Sequence, residues 1–150
     1  MTILFLTGLS GVGKSSVLSE MKNRGYKTTD LDYGYITYRN NERLFDEVKV
    51  HRLLENHIAS HLILAGTESN QGQFYSSFDV VVLLTADLDT MLDRIKARES
   101  NRYGKTKEER AEIIESYYAV LPLLKQRAQV IIDTTDISVE EVCDQLESLL

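Results

Sequence analysis

The chain has 150 residues, of which 43% are hydrophobic and 27% charged, and it carries a formal net charge of −6 with a pI near 5.1. A chain of this size buries a core without disulfides or metals, which argues against disordered and fibrous architectures and predicts one domain over residues 1–150. The acidic balance disfavours a nucleic-acid partner, and no apolar run approaches the ~18 residues of a membrane span, so no membrane partner is expected either.

Thr2 to Thr7 is a short apolar run ending at a glycine loop, and reads as a buried parallel strand. "MTILFLTG" has no basic leader and too short an apolar run for a secretory signal. Past the loop, Val17, Leu18 and Met21 share one face of a predicted helix that Gly25 stops. "YKTTDLDYG" offers a second short strand running into Asp30, Asp32 and Tyr33. A helix is predicted from Asn41, with Asn41 as its cap and Leu44, Val48, His51, Leu54 and Ile58 on its apolar face. "HLILAG" is a third strand, and the unbroken valine and leucine run from Asp79 to Ala86 a fourth, covered on both faces.

Asp87 or Asp89 opens the next predicted helix, which carries Met91, Leu92, Ile95 and Ala97. "SNRYGKTK" interrupts it, and a long helical pattern follows from Glu108 to about Ala128, kinked at Pro122. "QVIIDTT" is a fifth strand and "SVEEVCDQLESLL" a closing helix. Strands alternating with helices predict a parallel sheet layered between helices, an α/β fold. Cys143, the single cysteine, rules out an intrachain disulfide, reads as a small apolar residue, and fits a reducing, cytoplasmic setting.

Chemistry begins with "GLSGVGKSS". Gly8, Gly13, Lys14 and Ser15 match G-x-x-x-x-G-K-[ST], placed between a strand and a helix as a phosphate loop requires. Glycines let amide hydrogens face a phosphate, and the following helix adds the positive end of its dipole. Gly8, Ser10, Gly11, Val12, Gly13, Lys14, Ser15 and Ser16 are therefore the candidate nucleotide contacts, with Lys14 on the outer phosphates and the Ser15 hydroxyl on Mg²⁺. No N-K-x-D element reads guanine, and "VIID" at Val130 to Asp133 lacks the second acid of a motor ATPase. Its following loop, with Thr135, is placed beside the base. Mg²⁺ needs oxygen ligands, so Asp30 and Asp32 are candidates for metal support and for accepting a proton from a substrate hydroxyl. Two apart on an extended strand end, they are expected to face one cleft.

Arg94 to Arg110 carries seven basic and three acidic residues in an acidic chain. That concentration suits a mobile cover over polyphosphate, at about residues 98–110, with Arg94, Arg98 and Arg102 as candidate catalytic and nucleotide contacts. His57 and His61 are four apart, but Ile58 stands between them and no third ligand is evident, so no zinc site is expected. Tyr33, Tyr35 and Tyr38 form an aromatic patch, read as packing before a ring platform.

These pieces together resemble the small P-loop kinases, the group of shikimate, gluconate and nucleoside monophosphate kinases, over essentially the whole chain. The resemblance implies a three-layer α/β/α fold with a five-stranded parallel sheet of order 2-3-1-4-5, ATP with Mg²⁺, and closure of a lid. Asp30 then resembles the acid near metal-bound water and Asp32 the one near the acceptor hydroxyl. The family's glycine triplet after the third strand is replaced by "GTESNQG", Gly66 to Gly72, so Gly66, Glu68, Asn70 and Gln71 become candidates for this chain's own substrate wall. The expected activity is ATP-dependent phosphorylation of a small hydroxylated metabolite. A nucleoside or nucleoside monophosphate acceptor is the alternative, and a non-catalytic nucleotide-binding regulator the alternative from another class.

Overall fold

A computed structural model describes residues 2–57, 61–99 and 101–150. The alternation of side chains along the first strand, β1 (Thr2–Thr7), organises it. Leu4 and Leu6 point to one face of the sheet, where they join Val17, Met21, Ile95, Cys143 and Leu146. Ile3 and Phe5 point to the other, with Leu62, Leu64, Phe45 and Phe78. Phe5 is fully buried and stacks on Phe78 with ring centroids 4.6 Å apart, a burial that contributes about 1.5–3 kcal/mol.

β1 is central because both its edges are used. β5 (His61–Ala65) pairs on one side and β6 (Val80–Thr85) on the other, both parallel. β2 (Lys27–Asp30) pairs outside β5, and β7 (Val130–Asp133) outside β6. Among the sheet's own strands this order, β2-β5-β1-β6-β7, is the 2-3-1-4-5 arrangement that the resemblance implies. On one face lie α1 (Lys14–Asn23), α3 (Leu88–Ala97) and α6 (Val139–Glu147), each burying its apolar stripe in the same cluster. The opposite face is covered by α2 (Glu47–Glu55) and a 3-10 turn over Gln71–Ser77. Arg24, just past α1, bridges Asp144 at 2.8 Å and Glu147, and the Tyr26 hydroxyl donates to Glu147 at 2.8 Å, fastening α1 to α6.

The predicted helix from Asn41 is corrected. Asn40 and Asn41 both have left-handed backbone, φ 54° and 64°, and form the two-residue turn of a hairpin between β3 (Ile36–Arg39) and β4 (Glu42–Phe45). Two positive φ values match the right-handed twist of hairpin strands, and asparagine tolerates them. The helix starts at Glu47, capped by Asp46, which accepts from the Lys49 amide at 3.1 Å. Its fully buried residue is Val50, whereas Val48 of the predicted face is 65% exposed. Ile58, the last residue of that face, lies outside the described residues.

The long helix predicted from Glu108 is two. α4 (Lys107–Ala119) opens on a capping box of Thr106 and Glu109, and α5 (Leu121–Arg127) restarts with Pro122 in its first turn, where a missing amide hydrogen costs nothing. Cys143 is fully buried, and burial pushes its thiol up to about 11, so it packs and stays protonated.

Candidate functional site

The phosphate-loop sequence joins the end of β1 to the start of α1, at the carboxyl end of the central strand. Gly13 occupies the cap position of α1 and no side chain caps the helix, so its first-turn amides are left for a ligand. Ser15 and Ser16 are exposed on that first turn. Val12 is buried, and its carbonyl accepts from Thr134 Oγ1 at 2.8 Å, which anchors the loop from beneath. Gly11 permits a close approach, since a Cβ there would meet the Met91 carbonyl at 2.7 Å and the Ile95 side chain at 3.1 Å. Lys14 Nζ donates to the carbonyls of Gly8 and, at 3.1 Å, of Leu9. Burial lowers its pKa to about 8, opposed by the charges of Asp32 and Asp30 and reinforced by Arg98.

β2 ends at Asp30, and the acids are brought together by a turn, not by strand alternation as expected: the Asp32 amide donates to Asp30 Oδ1 at 3.0 Å. Burial holds Asp30 above the usual carboxylate range. Asp32 lines a cavity of about 730 Å³ that also takes in Gly8, Ser10, Lys14 and Thr67. Arg102 and Tyr103 of the basic segment, with Glu112 of α4, close the other wall. Arg43 of β4 lines the same cavity, an assignment invisible while residues 41–45 read as helix. It reaches Asp32 at 3.4 Å and ion-pairs with Glu68.

Of the candidate substrate wall, Glu68 sits behind Arg43 with 8% of its side chain exposed. Burial, aided by the Asp32 charge, lifts its pKa to about 7 against the pull of Arg43. Asn70 is committed elsewhere: its amide accepts from Phe45 N and donates to Phe45 O, both at 3.0 Å, pinning the hairpin. Gly66 is a packing position, where a Cβ would meet the Phe45 ring at 2.7 Å. Gln71 is buried and bonds the Glu68 amide at 2.9 Å and Tyr75 OH at 2.7 Å. Tyr33, 74% exposed, lines the cavity, while Tyr35 packs against the Phe5 cluster.

In the basic segment, Arg94 donates to Gly11 O at 3.3 Å, Thr134 Oγ1 at 2.9 Å and Thr134 O at 2.6 Å, clipping the phosphate loop to the loop after β7. Thr135 Oγ1 accepts from the Asp87 amide at 2.9 Å and donates to Asp133 at 2.6 Å, joining the loops that follow β6 and β7. Arg98 holds the carbonyls of Asn101 at 3.1 Å and Tyr103 at 2.7 Å, tying the end of α3 to residues 101–103. Tyr103 OH donates to Glu112 at 2.7 Å, and its pKa is pushed up to about 12. Gly104 packs so tightly that a Cβ would meet Ile95 and Ile113 at 2.6 Å each. The structure therefore brings Lys14, Asp32 and Arg102 to one cavity, with Asp30 bonded behind Asp32, and uses Arg94 and Arg98 to brace its walls. Among the described residues no three His, Cys, Asp or Glu side chains converge as a metal cluster, and no helix is long and apolar enough to cross a membrane.

A family model described as AAA domain matches residues 4–115. A protein of Archaeoglobus fulgidus described as "Putative adenylate kinase" is 26% identical over 161 aligned residues, which cover 99% of this chain and 82% of that one. Among solved structures, a shikimate kinase from Acinetobacter baumannii in complex with shikimate superposes with a TM-score of 0.68 at 18% identity, covering 99% of this chain and 92% of that one. A shikimate kinase from Bacteroides thetaiotaomicron gives 0.69 at 17% identity, covering 99% and 97%. The chain has the fold of the small P-loop kinases.

Proposed function

The chain belongs to the AAA domain family, and on that premise we propose that it is an ATP- and Mg²⁺-dependent phosphotransferase, moving the γ-phosphate of ATP to a hydroxyl of a small acceptor. The observation that carries this reading is a single cavity of about 730 Å³ lined by both Lys14 and Asp32. Asp32, Arg43 and Arg102 line this cavity together with the phosphate loop, an acid-and-arginine arrangement that suits transfer to an acceptor better than a switch or a motor.

The phosphates lie against residues 8–16, where the uncapped first turn of α1 supplies amide donors. Lys14 leaves the Gly8 and Leu9 carbonyls for the outer phosphates. The Ser15 hydroxyl and Asp30 carboxylate are the oxygen donors that Mg²⁺ prefers, and they would hold it. When bound, Mg²⁺ neutralises charge on the phosphates. Asp32 orients the acceptor hydroxyl and takes its proton as the oxygen attacks phosphorus, and Arg43 sets the position of that carboxylate. Arg102, on the segment 98–110 that serves as the lid, meets the transferring charge, while Arg94 and Arg98 keep the phosphate loop and the lid backbone in place. Thr135 borders the base. Closing the lid excludes water, which otherwise competes as acceptor. A cytoplasmic location belongs to the same reading.

The relative described as an adenylate kinase favours a second reading, in which the acceptor is a nucleoside monophosphate. The experiment is ATP consumption over panels of nucleotides, sugars and hydroxy acids, with Lys14→Ala and Asp32→Asn beside the native chain. Phosphorylation of one acceptor class, reduced about a hundredfold or more by Lys14→Ala, is the expected result. Asp32→Asn lowers turnover more than ATP affinity. Tight ATP binding with no turnover on any acceptor makes the chain a nucleotide-binding regulator instead.

A further inference from the structure

Thr67 lies two residues past the end of β5, and its hydroxyl lies against the entrance of the phosphate loop. Thr67 Oγ1 donates to Gly8 O at 2.6 Å, receives the Gly8 amide hydrogen at 3.1 Å, and lies 3.0 Å from Thr7 Oγ1. Thr7 Oγ1 is in turn bonded by Gln71 Nε2 at 3.1 Å, so the threonine pair is held from behind by a buried amide. One carbonyl, Gly8 O, thus takes two donors: Thr67 Oγ1 and Lys14 Nζ.

The two donors differ in what a nucleotide does to them. On the reading of Lys14 as the ligand of the outer phosphates, the lysine leaves Gly8 O when polyphosphate arrives. A buried carbonyl left without a donor costs free energy comparable with a lost hydrogen bond. Thr67 remains. We propose that Thr67 is the positioning residue that releases Lys14, holding the Gly8 carbonyl and amide in place while the lysine moves from loop to phosphate. Thr67 also precedes Glu68, whose carboxylate holds Arg43, so the same two-residue step that steadies the phosphate loop steadies the acceptor side of the cavity.

This assignment makes the cost of losing the hydroxyl depend on Lys14. In free Thr67→Val, Lys14 still satisfies Gly8 O; in the nucleotide-bound variant nothing does. The Gly8 amide loses its acceptor in both states and costs stability alone, whereas the carbonyl goes undonated only in the bound state; nucleotide affinity therefore falls along with stability, where a merely structural threonine moves stability only.

The test uses the full chain, with MgADP and inorganic pyrophosphate titrated calorimetrically into native, Thr67→Val and Thr67→Ser proteins. Affinity for both probes is expected to fall about tenfold in Thr67→Val and to return in Thr67→Ser, which keeps the hydroxyl. Asp46→Ala, which uncaps α2 away from the loop, lowers thermal stability and leaves affinity unchanged. Melting of the ligand-free forms completes the cycle: Lys14→Ala and Thr67→Val together lose more than the sum of their separate losses, because only the double variant leaves Gly8 O without a donor. Equal affinity in native and Thr67→Val overturns the assignment, as do strictly additive melting losses or failure of serine to restore binding. Absence of binding to the native chain overturns the phosphotransferase reading itself, and this assignment with it.

Discussion

Gly104→Ala tests the packing that seats the basic loop over the cavity. Gly104 has φ +92°, and a Cβ there would stand 2.6 Å from Ile95 Cγ2 and from Ile113 Cδ1, both side chains of buried residues. Gly25 has nearly the same backbone, φ +97°, with nothing within 4 Å of its Cβ position. Left-handed backbone costs an L-residue about 1–2 kcal/mol, so that term is common to both substitutions. Forcing a methyl into a filled core adds about 1–3 kcal/mol at Gly104 alone. At roughly 3 °C per kcal/mol for a chain of this length, Gly25→Ala should lower the melting temperature by about 5 °C and Gly104→Ala by about 10 °C. Thermal denaturation followed by circular dichroism reads both. Equal losses at the two positions would refute the claim that the loop is packed against α3 and α4, leaving only backbone strain.

A pH series isolates Glu68. Its folded pKa, about 7, lies above the ordinary 4.5, so the folded chain holds a proton that the unfolded one releases between those values. Stability from this group is therefore full below about pH 4.5 and is lost as pH rises to about 7. Glu68→Gln should flatten the fall in melting temperature across that window relative to native; parallel curves contradict the assignment. In the hairpin, Asn41→Val places a β-branched residue at φ 64° and should cost about 1–2 kcal/mol, whereas Asn41→Gly should not destabilise, both read by thermal melts.

The three central strands of the sheet were legible because parallel strands covered on both faces are continuous apolar runs, as in "ILFL", "LILA" and "VVVLL". The phosphate loop was legible because its function fixes residue types at fixed spacing. Residues 40–45 were not. Val48, His51 and Leu54 belong to the true helix, Leu44 of the preceding strand extends their period by coincidence, and a four-residue strand is too short to establish its own alternation. That misreading concealed Arg43, whose place in the cavity depends on the hairpin folding back over the acids. Thr67 and Thr134 escaped for a different reason: each acts through one hydroxyl on a distant backbone carbonyl, Gly8 O and Val12 O, and such contacts leave no pattern in the sequence. Asn70 and Gly66 drew attention as polar and glycine residues in a substrate-wall position, but their partners are Phe45 backbone and ring.

The central place of β1 also sets a timetable for folding. Ile3 finds its parallel partner only at Leu62, and its other neighbour, β6, comes later still. At the ~5–20 residues per second of synthesis, the strand that will be most deeply covered waits several seconds for the first chain that can shelter it. Local closure is denied to it, because parallel neighbours are never adjacent in sequence. α1 can coil behind the loop in the meantime, but "ILFL" stays open to solvent, to chaperones, and to other copies of itself until β5 has been made.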